Sequence, residues 1–311
     1  VATTHHYLLF FTNRGWVHRL RAFEIPQASR TARGLPVINL INIQPDEQVT
    51  AIVPVVGLQG DGYLTMVTKG GTIKRTSFAE FGNINRMGLV AINLVGDDEL
   101  GWVLHTDGEK QLVIATRNGM SIRFKEEDAR PMGRATQGVR GINLRTGDQC
   151  IGVCAVDETK ELLVCGTKGF GKRTPFSEYP EQNRAGLGVI TYRVTDKTGP
   201  VVGMATVDNN DELLLLTEKG VMIRIPCNRI STTGRAAQGV KLINLDDGDS
   251  VAAVTKVVQM ESDAEDDDTP KRRRGKAADK PQDSLFDDEE LDDAADIEGD
   301  DELESEGDEE A

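Results

Sequence analysis

The chain has 311 residues and a formal net charge of −15, with 38% hydrophobic and only 5% aromatic residues. That length accommodates one large or two ordinary domains. No apolar stretch approaches the roughly 18 residues of a membrane-spanning helix. The charge is uneven: residues 1–260 carry 30 Lys and Arg against 27 Asp and Glu, and residues 261–311 carry 6 against 24. A faintly basic body followed by a strongly acidic tail points to a nucleic-acid or membrane partner, or to a regulatory tail. Cys150, Cys154, Cys165 and Cys227 stand in apolar runs without CxxC spacing. They read as buried free thiols of a cytoplasmic protein. His5, His6, His18 and His105 do not complete a zinc set. Because the chain opens on Val1 rather than Met, it reads as part of a longer protein.

In chain order, five copies of a motif of about 50 residues follow, starting near Leu8, Leu64, Leu112, Leu162 and Leu213. Each opens on a short apolar run, which predicts a strand buried on both faces. A hairpin turn follows at Gly15, Gly71, Gly119, Gly169 and Gly220, and a second strand carries an Arg four residues later. A polar segment then leads to a loop such as GRATQGVRGINL or GRAAQGVKLINL. The loop glycines, Gly34, Gly88, Gly138, Gly188 and Gly239, are 54, 50, 50 and 51 residues apart. The Ile-Asn-Leu that follows predicts a third strand, replaced in copy four by Tyr192-Arg193-Val194. An acidic turn and a last apolar strand close each unit. Residues 1–6 read as the closing strand of an earlier blade, which makes about six blades in the parent. Four strands per repeat and no convincing helix predict an all-β, propeller-like ring.

The five ordered copies, with GRATQGVRGINL, NRGWVHRLRAFEIPQASRTARG and GTKGFGKRTPFSEYP, resemble the C-terminal domain of the DNA gyrase A subunit over roughly residues 1–258. The resemblance implies a β-pinwheel of six four-stranded blades, five of them complete in this chain. It implies a bacterial, nucleoid-associated cytoplasmic domain that binds, bends and wraps double-stranded DNA without sequence preference. It also implies an A2B2 holoenzyme, with an A-subunit core and a B subunit that use ATP and Mg for negative supercoiling. No catalytic residue, metal or cofactor is expected in this part, and the isolated domain is expected to be a monomer. The related domain of topoisomerase IV and a protein-binding propeller scaffold are the alternatives. The Gln-Arg-Gly-rich box typical of the family's first blade has no close copy here. Tyr7, Tyr63, Tyr179 and Tyr192 read as packing residues.

The expected DNA contacts form two groups. The loop group is Arg30, Arg33, Arg86, Arg134, Arg140, Arg184, Arg235 and Lys241; the hairpin group is Lys74, Arg75, Arg123, Lys172, Arg173 and Arg224. Such cations neutralise phosphates and release counterions, which gives affinity without base readout. The hairpin position is open to a second reading, pairing with the acidic turn of its own repeat. The loops are expected to be exposed, with glycines that let a phosphate backbone come close. Residues 259–311 are expected to be disordered. Their acidic residues serve solubility or act as a tethered competitor for the basic rim, and the cluster 271–276 serves as a spacer or a weak DNA contact.

Overall fold

The apolar runs become the middle strands of small antiparallel sheets. The structure, a computed structural model, describes residues 2–29, 31–57 and 60–257. Arg30, the acidic tail and its basic cluster lie outside them.

Repeat 1 contributes β1 (Tyr7–Thr12), β2 (Trp16–Arg21) and β3 (Val49–Val55). Repeat 2 contributes β4 (Tyr63–Thr68), β5 (Thr72–Ser77), the two-residue β6 (Leu89–Val90) and β7 (Leu100–Thr106). Repeat 3 contributes β8 (Gln111–Thr116), β9 (Met120–Lys125), β10 (Val139–Arg140) and β11 (Cys150–Ala155). Repeat 4 gives β12 (Glu161–Gly166), β13 (Phe170–Pro175), β14 (Val189–Ile190) and β15 (Val201–Val207). Repeat 5 gives β16 (Glu212–Thr217), β17 (Met222–Pro226), β18 (Val240–Lys241) and β19 (Val251–Val257).

The sheets do not coincide with the repeats. Their orders are β3-β1-β2-β6, β7-β4-β5-β10, β11-β8-β9-β14, β15-β12-β13-β18 and β19-β16-β17. The fourth strand of each of the first four blades is therefore donated by the following repeat. The expectation of four strands from one unit is corrected accordingly. Blade 5 has three strands among the described residues. The donated strand is also not Ile-Asn-Leu but the pair just after the loop glycine. Val189 pairs with Ser121 and Ile190 with Met120, for example. Only a glycine fits before that pair: a Cβ on Gly188 (φ +76°) would lie 2.2 Å from the Ser121 carbonyl oxygen. In repeats 2 to 5 the loop glycine thus serves blade-to-blade approach, whereas Gly34 has open space around it. Residues 2–6 form a turn, with the His6 N–H donating to the Thr3 carbonyl at 3.1 Å, and no strand.

The hydrophobic cores lie between blades. Leu9 and Phe11 of blade 1 pack with Leu64, Met66 and Phe81 of blade 2, and Val113 of blade 3 packs with Leu162 and Val164 of blade 4. Leu112–Ala115 and Leu162–Cys165 are fully buried. This matches strands sandwiched on both faces. The strands β3, β7, β11, β15 and β19 pack consecutively against one another. They form the inner side of the array and leave the donated strands at the rim. Short 3-10 turns follow the hairpins, such as Glu126–Asp128 and Phe176–Glu178. Tyr179 and Tyr192 are core residues, as expected.

Candidate nucleic-acid interface

The two groups of cations meet different fates. In the hairpin group, Lys74 and Lys172 are fully buried, Arg75 is 5% exposed and Arg173 6%. The Arg75 Nε donates to the Ala129 carbonyl at 2.9 Å. The Arg123 Nη1 donates to Phe176 O at 2.7 Å, and the Arg173 Nε to Ile230 O at 2.8 Å. In each case the acceptor belongs to the following blade, in its 3-10 turn or just after it. The same step brings a parallel bridge: Arg75 with Pro131, Arg123 with Glu181, Arg173 with Thr232. A planar five-donor group suits this task, since it can satisfy several carbonyls left unpaired by irregular backbone. Lys74 Nζ donates to Ala91 O at 2.6 Å and to Arg134 O, and Lys172 Nζ donates to Gly234 O at 2.7 Å and to Arg235 O. Burial pushes both lysines down to about 8. Arg224 differs: its side chain is 55% exposed and, among the described residues, pairs with Glu212 alone.

The acidic turns do not hold these arginines, contrary to the second reading. Asp98 Oδ1 accepts from Gly70 N at 2.7 Å, Asp148 from Asn118 N at 3.0 Å and Asp249 from Lys219 N at 3.1 Å. The carboxylates pin the hairpin turn of their own repeat. Copy four lacks this aspartate, and the buried Thr198 closes its turn with Thr195 and the Arg193 carbonyl instead.

The loop group splits. Arg184 is half-buried and reaches back to the preceding repeat, donating to Asp128 O and Arg140 O, both at 2.9 Å. Arg235 does the same to Glu178 O at 3.1 Å and to Ile190 O. The Arg134 side chain lies 3.9 Å from Glu80. By contrast Arg33, Arg86, Arg140 and Lys241 are exposed. They form no ion pair among the described residues. Arg140 and Lys241 sit on donated strands, and are therefore at the rim. Arg130 and Arg193, also exposed on these loops, fall outside the repeat pattern. Arg193 stands where other copies have Asn, and Arg130 precedes the loop motif. Exposure cannot be read from either position.

Comparison with known proteins fits this geometry. The DNA gyrase C-terminal domain family, described as a beta-propeller, matches residues 6–55, 62–105, 110–156, 160–208 and 211–257. The DNA gyrase A subunit of Staphylococcus epidermidis is 43% identical over 258 residues, covering 82% of this chain and 29% of that protein. Its Staphylococcus aureus counterpart is 42% identical over 268 residues, with 85% and 30% covered. The chain thus spans under a third of these relatives' length. A solved gyrase A C-terminal domain superposes with a TM-score of 0.71 at 29% identity, covering 82% of this chain and 84% of that one. The C-terminal domain of a DNA topoisomerase IV superposes with a TM-score of 0.76 at 27% identity, covering 82% and 80%.

Proposed function

The chain belongs to the DNA gyrase C-terminal domain family, and from that premise we propose that it binds duplex DNA along its rim and bends it, without reading base sequence. The observation that carries this reading is the set of exposed cations, without ion pairs among the described residues, on the loops of repeats 1, 2, 3 and 5: Arg33, Arg86, Arg140 and Lys241. Smoothly bending a site of 20–30 bp by 40–90° costs on the order of 1–6 kcal/mol. Phosphate contacts spread over several blades can offset that cost; a single patch holds only one point of the path. Arg134, Arg184 and Arg235 take the role of loop anchors. The hairpin cations Lys74, Arg75, Arg123, Lys172 and Arg173 are left out of the proposed interface, because their donors are engaged between blades and their bulk is buried. In a parent gyrase, the wrapped segment would be handed to the A-subunit core, with ATP and Mg used by other parts of the assembly during supercoiling. The sequence relatives favour gyrase over topoisomerase IV as that parent.

The test is the salt dependence of duplex binding by the triple variant Arg33→Ala, Arg86→Ala, Arg140→Ala. The slope of log affinity against log salt is expected to flatten by about 0.9 per lost contact. Unchanged affinity and slope in a folded variant would reject the rim assignment.

A further inference from the structure

The loop of repeat 4 is as long as those of repeats 3 and 5 but carries different chemistry. Gly188 lies four positions past Arg184, as Gly138 does past Arg134 and Gly239 past Arg235. Where those two loops have Gln137 and Gln238, repeat 4 has Leu187; where they have Arg140 and Lys241, it has Ile190. Leu187 is 50% exposed and Ile190 47%. Arg140, Ile190 and Lys241 lie on the donated strands of blades 2, 3 and 4. The loop anchors fix their order along the rim: Arg184 Nη1 donates to the Arg140 carbonyl at 2.9 Å, and Arg235 Nη1 donates to the Ile190 carbonyl. An apolar pair therefore stands between two exposed cations.

The backbone that presents this pair is tied down on both sides. Ala185 N donates to Gly141 O at 2.6 Å, and Gly186 O accepts from Asn143 N at 2.8 Å. Gly188 is pressed against the Ser121 carbonyl. Ala185 is also the one non-glycine residue with a positive φ, +68°, among the described residues. Such strain persists only where the surroundings over-determine the backbone, and it gathers at ligand contacts. Leu187 is thus a fixed apolar knob.

We propose that Leu187, with Ile190 beside it on the same loop, is a wedge that enters duplex DNA at a kink, between phosphates held by Arg140 and Lys241. This deepens the rim reading and rests on it. An apolar side chain offers a phosphate no donor and no charge. Between two phosphate contacts, what it can pack against is deoxyribose and the edge of an opened base step. Leu and Ile are among the side chains that unstack base steps and kink a duplex in this way, and a pyrimidine–purine step such as TA yields most easily. A knob already held by its loop has little freedom left to lose on binding.

The whole chain is titrated with a duplex carrying 2-aminopurine at a central TA step and a dye pair at its ends. Anisotropy reads affinity, energy transfer reads the bend, and 2-aminopurine emission reads unstacking. Binding is expected to raise the emission. Leu187→Gln, which installs the residue of repeats 3 and 5, is expected to lose most of that rise and part of the bend. It should weaken binding about fivefold without changing the salt slope, since no phosphate contact is lost; Leu187→Met should restore the emission. Adding Ile190→Lys to Leu187→Gln should steepen the slope by about 0.9 and tighten binding while the bend stays reduced. If that double variant binds more tightly and bends DNA more, the loop is only a gap in the cation track and the wedge is overturned. Emission and bend left unchanged by Leu187→Gln also overturn it, while salt-dependent binding by the unaltered chain keeps the rim reading. Absence of such binding removes the rim reading, and the wedge with it.

Discussion

Blades 3 and 5 carry nearly the same residues and use them differently. In blade 3, Gly119 is pressed against blade 4, Arg123 is tied to blade 4 carbonyls, and the strand β8 is buried from Leu112 to Thr116. In blade 5, Gly220 faces open space and Arg224 is exposed. Its middle strand β16 also alternates between buried and half-buried. The difference lies in the neighbour on the C-terminal side of each blade. Among the described residues nothing packs beyond blade 5, and its consensus positions lose their partners. The repeated glycine and arginine are therefore junction residues rather than blade residues.

The glycines break this comparison most sharply. An Ala at position 119 would place Cβ 2.1 Å from the Tyr192 carbonyl oxygen, at φ +80°. Gly119→Ala is expected to cost about 4 kcal/mol from strain and clash together. Gly220→Ala has only its φ of +86° to contend with and should cost about 1 kcal/mol. Denaturant titration of the two variants measures the gap; equal losses would mean that the glycine serves its own hairpin alone.

The arginines come next. Arg123→Ala removes the donor to the carbonyls of Phe176 and Tyr179 and to the Gln111 side chain, and the ion pair with Glu158. It should destabilise the protein by about 3 kcal/mol. Arg224→Ala removes one exposed ion pair and should cost about 0.5 kcal/mol or less. Neither should change the salt slope of DNA binding. A flatter slope for Arg123→Ala would return the hairpin position to the interface.

A last effect is in pH. Unfolded lysines hold their proton to about 10.5, but folded Lys74 and Lys172 release theirs near 8. Between those values the unfolded state binds more protons, so stability rises with pH. Lys74→Met with Lys172→Met should abolish the rise. A rise that persists in this variant would point to other groups.

The ring is legible in the sequence because the apolar runs recur at one period and are bounded by turn glycines. Leu112–Ala115 can be buried on both faces only if a blade lies on either side. The strand exchange is not legible in the same way. A two-residue strand such as Val139–Arg140 carries no periodicity, and nothing local says which repeat it joins. The loop glycine is the available signal, because it marks a close backbone approach, but it says nothing of what approaches. The same sandwiching hides the fate of Lys74 and Arg75. Alternation along a strand separates inside from outside only when one face meets water, and here both residues are buried on opposite faces. Arg86, Arg140 and Lys241 stand out as exposed only once the loop anchors Arg184 and Arg235 are seen to be engaged.

The donated strand also gives the fold a direction in time. Blade 3 has its first three strands once the chain has emerged to Ala155, but its fourth begins at Val189. During synthesis each blade waits with the edge of its second strand unpaired, a state open to wrong partners. The next repeat closes that edge and opens its own, so the array assembles as a zipper running from the N-terminal blade onward. A chain cut within repeat 4 would leave blade 3 unfinished as well, and a lesion in one loop would be felt first in the blade before it.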